Sequence, residues 1–240
     1  MKNPPNVEIV HAGGHLQCTT YLVGAPAGAV LIDPGSGSFD EAVADAVRRS
    51  GYPVSHVLLT HCHVDHARGA YLFGKRGMRI VAAPRSAEIL REAGHQVWYE
   101  YPEYVIPTEV DVTPADGELL DVCGFGIRVL HTPGHTDGCA SYLVETAEGL
   151  TAFTGDLMST RGHPGWSGSE GFSVAETIAS LEKLLSWAPA RAYTGHGTVA
   201  GDVAEWLEAA LAVGRAGDWE LDGRFHPNDR PPASFQRRRS

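Results

Sequence analysis

Apolar residues fall mostly in short blocks parted by glycine and proline, a pattern of buried strands more than of long helices. Cys18–Val23 and Ala29–Asp33 are two such blocks, separated by the turn Gly24–Gly28, and predict a pair of strands. Ser38 and Glu41 form a capping box for a helix reaching Arg49, with Gly51 just beyond its end. His56–Leu59 predicts a buried strand that runs directly into Thr60-His-Cys-His-Val-Asp-His66. A further unit follows, with Arg79–Ala82 extended and a helix opened by Pro84 and closed by Gly94. Residues 96–113 show no clean period and include Pro102 and Pro107, which predicts a long ordered loop of the kind that carries substrate contacts. In the second half, Glu118–Val122, Ile127–Leu130, Ala140–Val144 and Leu150–Phe153 read as strands. Ser173 and Glu176 make a second capping box, and Val174, Ile178, Leu181 and Leu185 form the apolar stripe of the helix behind it. Arg191–Tyr193 predicts a short strand and Asp202–Val213 a closing amphipathic helix.

Strands grouped with helices in both halves predict an α/β layered sandwich, two sheets packed together with helices outside. The chain has 240 residues, a length that fits one domain over residues 1–213 followed by a tail or surface strap over 214–240. No apolar run is long enough to span a membrane, and the opening Met-Lys-Asn-Pro-Pro-Asn has no apolar stretch behind its lysine, so neither a membrane nor a secretory signal is expected. Cys18, Cys62, Cys123 and Cys139 have no Cys-x-x-Cys spacing, which argues against a disulfide scaffold or cysteine-based zinc finger and points to a reducing cytoplasm. The formal net charge of −10 makes nucleic acid a poor partner, since the surface would repel a phosphate backbone.

Histidine changes the picture. There are 12 in the chain, and His61, His63 and His66 share one six-residue string with Asp65. In an extended segment alternate residues share a face, so His61, His63 and Asp65 can point together. A helix starting near Asp65 would turn the chain and carry His66 to another side of the same site. Three more ligand-type side chains, His135, Asp156 and His196, follow predicted strands at similar offsets, with glycine beside each. Strand ends of packed sheets emerge at one edge, so these loops are expected to converge there. Imidazole and carboxylate donors suit zinc, manganese or iron, and spacing does not select among them.

Taken together, the strings His61-x-His63-x-Asp65-His66, His-Thr-Pro-Gly-His135, Thr-Gly-Asp156 and Gly-His196-Gly resemble those of the metallo-β-lactamase-fold superfamily over residues 7–213. The resemblance implies a four-layer αββα sandwich with a metal site at one edge. It implies that His61, His63 and His135 bind a first metal, that Asp65, His66 and His196 bind a second, and that Asp156 bridges them. Two divalent ions are implied, zinc foremost and manganese or iron as alternatives, with a shared hydroxide as nucleophile and Asp65 and Asp156 as the catalytic carboxylates. Asp33, before Pro34-Gly35, is either a turn-forming residue or the acidic support of the metal loop.

The activity this implies is hydrolysis of an ester, thioester or lactone of a small molecule. In the β-lactamases of this family a cysteine commonly replaces Asp156. The glutathione-thioester hydrolases add a helical domain for which the 27 residues after Val213 are too few. Lactonases acting on quorum-sensing lactones carry tyrosine where Ser159 stands. The rival reading is a persulfide dioxygenase using one iron on His61, His135 and Asp156; a metal-loaded protein that only binds is a third. Secondary expectations place His15 and Cys18 near the metal edge or in packing. Cys62 is expected to turn away into the core. Trp98, Tyr99, Tyr101, Tyr104 and Trp166 are candidates for a substrate wall, and His163 for an approach to the site.

Overall fold

A computed structural model describes residues 4–13, 17–36, 40–92, 106–160, 162–165, 169 and 171–217. Two sheets carry the fold. The first takes β1 (Asn6–His11), β2 (Thr20–Ala25), β3 (Gly28–Ile32), β4 (Val54–Leu58) and β5 (Arg79–Val81), in that spatial order. The second runs β11 (Gly197–Thr198), β10 (Arg191–Thr194), β9 (Gly149–Gly155), β8 (Ala140–Thr146), β7 (Phe125–His131) and β6 (Leu119–Val122). Helices α1 (Asp40–Ser50), α2 (Val64–Ala67), α3 (Ala70–Lys75) and α4 (Pro84–Glu92) follow strands of the first sheet, and α5 (Val174–Ser186) and α6 (Val203–Ala216) those of the second.

Three apolar layers result, and the alternation of side chains along each strand sorts residues among them. On β3, Ala29 and Leu31 face the helices through Val43, Val47, Phe73 and Leu90, whereas Val30 and Ile32 face the other sheet. On β8, Tyr142 and Val144 join the layer between the sheets, and Leu143 packs outward with Leu181, Leu184, Leu207 and Leu211 of α5 and α6. Both faces of the central strands are therefore dry, which is why their sequences are continuous apolar runs rather than alternating ones. This is the αββα sandwich expected from the sequence.

Several elements differ from the sequence expectations. β1 was not anticipated, because its half-exposed residues at a sheet edge leave little apolar signal. Helix α2 starts at Val64, one residue before the expected Asp65, and holds the end of the histidine string; α3, just after it, was not expected. α6 runs to Ala216, beyond Val213, and ends at Gly217 in the left-handed conformation. Half of the second capping box forms, with Ser173 Oγ accepting from Glu176 N at 3.3 Å while Ser173 N donates to Gly134 O rather than to Glu176; Ser38 of the first lies outside the described residues. So do residues 96–105 of the long loop, whose remainder touches β5 through a bridge between Val81 and Val112. No described helix is long and apolar enough to cross a membrane.

Candidate metal centre

β3 and β4 are parallel, as are β9 and β10, while β7 and β9 each pair antiparallel with β8. The carboxyl ends of β3 and β4 in one sheet, and of β7, β9 and β10 in the other, thus share an edge, and Ala140 N donating to Thr60 O at 2.8 Å brings the two edges together. The loop after β4 holds His61 and His63 and then α2 with Asp65 and His66. His135 follows β7, Asp156 follows β9, and His196 follows β10. All seven expected ligand residues meet there, in three overlapping groups: His61, His63, His135; His61, His66, Asp156; and Asp65, His66, His196. Within each group the ligand atoms lie within 4.8 Å of one another. The helix starts at Val64, so Asp65 leaves the extended face of His61 and His63 and joins His66. Alternation alone would have put it with the first two.

Asp156 faces both sides. Its Oδ1 lies 3.4 Å from His66 Nε2, and its Oδ2 lies 3.7 Å from His135 Nε2 and 3.4 Å from His196 Nε2. Asp65 Oδ2 is 3.3 Å from His196 Nε2 and 3.6 Å from His66 Nε2. His135 Nε2 and His63 Nδ1 approach to 3.0 Å. With its side chain 31% exposed, His196 opens the cluster to solvent, whereas His61 and His66 are fully buried.

The support beneath these rings decides which nitrogens face inward. Asp33 Oδ1 accepts from Thr60 N at 2.8 Å and Oδ2 from Thr60 Oγ1 at 2.6 Å; the same Oδ2 lies 2.8 Å from His66 Nδ1. A carboxylate only accepts, so His66 carries its proton on Nδ1. Thr60 spends its hydroxyl proton on Asp33, so His61 Nδ1, 3.1 Å away, donates to Thr60 Oγ1. Both rings then present an Nε2 lone pair to the cluster, and both Nε2 atoms are buried without a hydrogen-bond partner among the described residues. Asp33 holds φ of 49° to reach this position, a left-handed conformation tolerated by aspartate. Its role is therefore loop support rather than turn formation alone. The adjoining backbone is tied by Gly35 N to His66 O at 3.0 Å and by Ser36, whose N and Oγ donate to Gln17 Oε1.

Electrostatics point the same way. Burial lowers His61 well below its ordinary value, and burial together with His135 takes His63 down to about 3. Burial would also lower His196, but Asp156 and Asp65 outweigh it and raise the ring to about 10. His66 is raised well above its usual range, against burial, by Asp156, Asp65 and Asp33. Burial opposes ionisation of Asp65, yet His66 and His196 hold it at about 2. An imidazole lone pair facing a carboxylate oxygen repels it unless a proton or cation lies between. A donor set of imidazoles and carboxylates, with the buried Nε2 atoms of His61 and His66 turned inward and the raised His66 and His196 marking where positive charge is held, fits divalent metal ions.

Other expected residues separate clearly. Cys18 is buried with its Sγ 3.4 Å from Asp33 O and its N donating to Asp65 O, a packing position under the site. Cys62 lies in the helix-side core, pointing away as expected, and no disulfide joins the four cysteines. His163 is exposed and joins none of the groups found among the described residues. His15, Trp98, Tyr99, Tyr101, Tyr104 and Trp166 lie outside the described residues. Thr60 is not singled out by the sequence; its position one residue before His61 is the signal there for a supporting hydroxyl.

Comparison with known proteins places this geometry in context. An atrochrysone carboxyl ACP thioesterase from Aspergillus fumigatus is 32% identical over 183 residues, covering 75% of this chain and 50% of the relative. A beta-lactamase-like protein 2 homolog from Drosophila melanogaster is 29% identical over 184 residues, covering 75% and 58%. The chain thus spans about half the length of the curated relatives it matches. Among solved structures, a metallo-beta-lactamase family protein from Thermus thermophilus superposes with a TM-score of 0.72 at 25% identity, covering 88% of this chain and 79% of that one. A profile of the metallo-beta-lactamase superfamily matches residues 13–196, which contain every residue of the cluster. The chain belongs to the metallo-beta-lactamase superfamily.

Proposed function

We propose that the protein is a dinuclear metal-dependent hydrolase of small-molecule thioesters, with esters and lactones as neighbouring substrates. The observation that carries this reading is the double cluster: seven ligand-type side chains at one edge, more than one ion with an open position would use. His61, His63 and His135 would hold one ion, Asp65, His66 and His196 the other, with Asp156 between them. Zinc is the first choice, manganese and iron the alternatives. Divalent ions there supply Lewis acidity, bringing the pKa of water toward about 7 and polarising the scissile carbonyl. The chain's own part is to fix the rings through Asp33 and Thr60 and to offset positive charge with Asp65 and Asp156. Those carboxylates also offer acceptors that orient attacking water. The thioester preference is supported by relatives named as ACP thioesterases. A one-iron dioxygenase reading on His61, His135 and Asp156 leaves His63, Asp65, His66 and His196 without a task.

The deciding experiment is turnover under strict anaerobiosis. Protein reconstituted with zinc or manganese should hydrolyse an activated small-molecule thioester at the same rate with and without oxygen. His196→Ala should lower that rate by about 100-fold. Activity found only with iron, consuming oxygen and surviving His196→Ala, would establish the dioxygenase instead.

A further inference from the structure

Every ligand group draws on both sheets. His61, His63, Asp65 and His66 come from the loop after β4 of the first sheet, and His135, Asp156 and His196 from loops of the second. The distances that define the site therefore depend on how one sheet is placed along the other. The layer between the sheets is largely apolar, and apolar contact is non-directional, so the fine placement of the ligand loops is left to directional bonds. Directional bonds that cross the layer near the ligand loops set the register.

Two buried tyrosines make such bonds in opposite directions. Tyr21 stands on β2 of the first sheet, and its hydroxyl lies 2.7 Å from Thr194 O and 2.8 Å from Gly197 O. Those two residues pair with each other and leave Gly195-His196 as the tip of the β10–β11 hairpin. Tyr142 stands on β8 of the second sheet and donates to Leu59 O at 2.7 Å. Leu59 immediately precedes Thr60 and His61, and its own N bonds to Val81 O at 2.9 Å. Phenylalanine would fill the same apolar space at either position without a polar atom to satisfy. The hydroxyls are thus the part of these side chains that packing does not explain.

We propose that Tyr21 and Tyr142 are positioning residues, each using its phenol oxygen to hold the metal-ligand loop of the opposite sheet. Tyr21 fixes the hairpin that presents His196, and Tyr142 fixes the strand end that presents His61. The proposal rests on the metal reading above.

The test is metal affinity, read by chelator competition and by the absorption spectrum of the cobalt-substituted protein. Wild type should take up two ions. Tyr21→Phe should weaken the ion held by Asp65, His66 and His196 by about 10-fold or more, the range expected when support behind a ligand is removed. Tyr142→Phe should weaken most the ion held by His61, His63 and His135. Tyr193→Phe removes a phenol oxygen from the same aromatic group, whose rings lie 5.1 Å from Tyr21 and 5.3 Å from Phe153, and should change neither affinity. p-Aminophenylalanine at position 21 or 142 keeps a donor in place and should fold and restore wild-type affinity. A wild type with two ions, matched by both phenylalanine variants within twofold and with an unchanged cobalt spectrum, overturns the proposal alone, as does failed rescue. A wild type that binds no ion overturns the metal reading and the proposal with it.

Discussion

At the scale of single residues, Asp156 is the most consequential side chain, because its two oxygens face His66 on one side and His135 and His196 on the other. Asp156→Asn keeps its shape and removes its charge. Steady-state kinetics should show hydrolysis falling at least about 100-fold, with weaker uptake of the second ion. Near-normal turnover with two ions bound would remove Asp156 from the bridging position proposed for it. The same residues set a pH dependence in chelator-treated protein. His196 has its pKa raised from 6.5 to about 10, so the stability it contributes is fully present below 6.5 and lost as pH rises toward about 10. Asp65 is lowered from 3.8 to about 2, so its contribution is present above 3.8 and lost as pH falls toward about 2. His61 and His63, lowered by burial, act in the opposite sense and lose stability as pH falls below 6.5, so thermal unfolding of the chelated protein should peak at about pH 6.5 and decline on both sides. A flat profile from 6.5 to 10 would contradict this.

At the scale of elements, the short turns matter more than the long helices. Gly195 sits at the hairpin tip, where a Cβ would overlap Asp156 Oδ1 and come within 2.5 Å of His66 Cε1. Gly195→Ala must displace one of them, so metal content after dialysis should fall below that of wild type while far-UV circular dichroism stays close to it. Full metal occupancy in this variant would show that the hairpin yields at no cost to the site. Gly155, at φ of 52° and with Thr60 Oγ1 overlapping the place its Cβ would take, makes the same demand where β9 delivers Asp156. Both glycines could be read from the sequence as turn residues. Their role as space for a facing side chain could not, because those neighbours come from distant parts of the chain.

At the scale of the whole molecule, the site is a seam between two sheets, and metal should act as a clasp across it. Ions that bind the folded chain and not the unfolded one add about 2.7 kcal/mol each at a concentration 100-fold above Kd. Chelation should accordingly lower the midpoint of thermal unfolding, and zinc should restore it in a concentration-dependent way. Equal midpoints with and without zinc would mean that the groups do not bind it across the seam.

The candidate ligand residues stand out in the sequence because metal chemistry demands rare residue types, and His61, His63, Asp65 and His66 are nearly contiguous. The layer order was legible for a similar reason: strands buried on both faces are written as unbroken apolar runs. Alternation alone did not tell which ligand residues group together; the family resemblance implied it, and the start of α2 at Val64 is the backbone turn that carries Asp65 from His61 and His63 to His66. Asp33 was legible only as one of two alternatives, until its hydrogen bonds to Thr60 and His66 chose between them. Tyr21 and Tyr142 read as ordinary strand aromatics. Their partners lie 173 and 83 residues away along the chain, and local pattern carries no record of what a side chain meets across a sheet interface. Composition and periodicity determine which residues must be buried and which can bind metal; only the packing of one sheet on the other brings those residues within bonding distance.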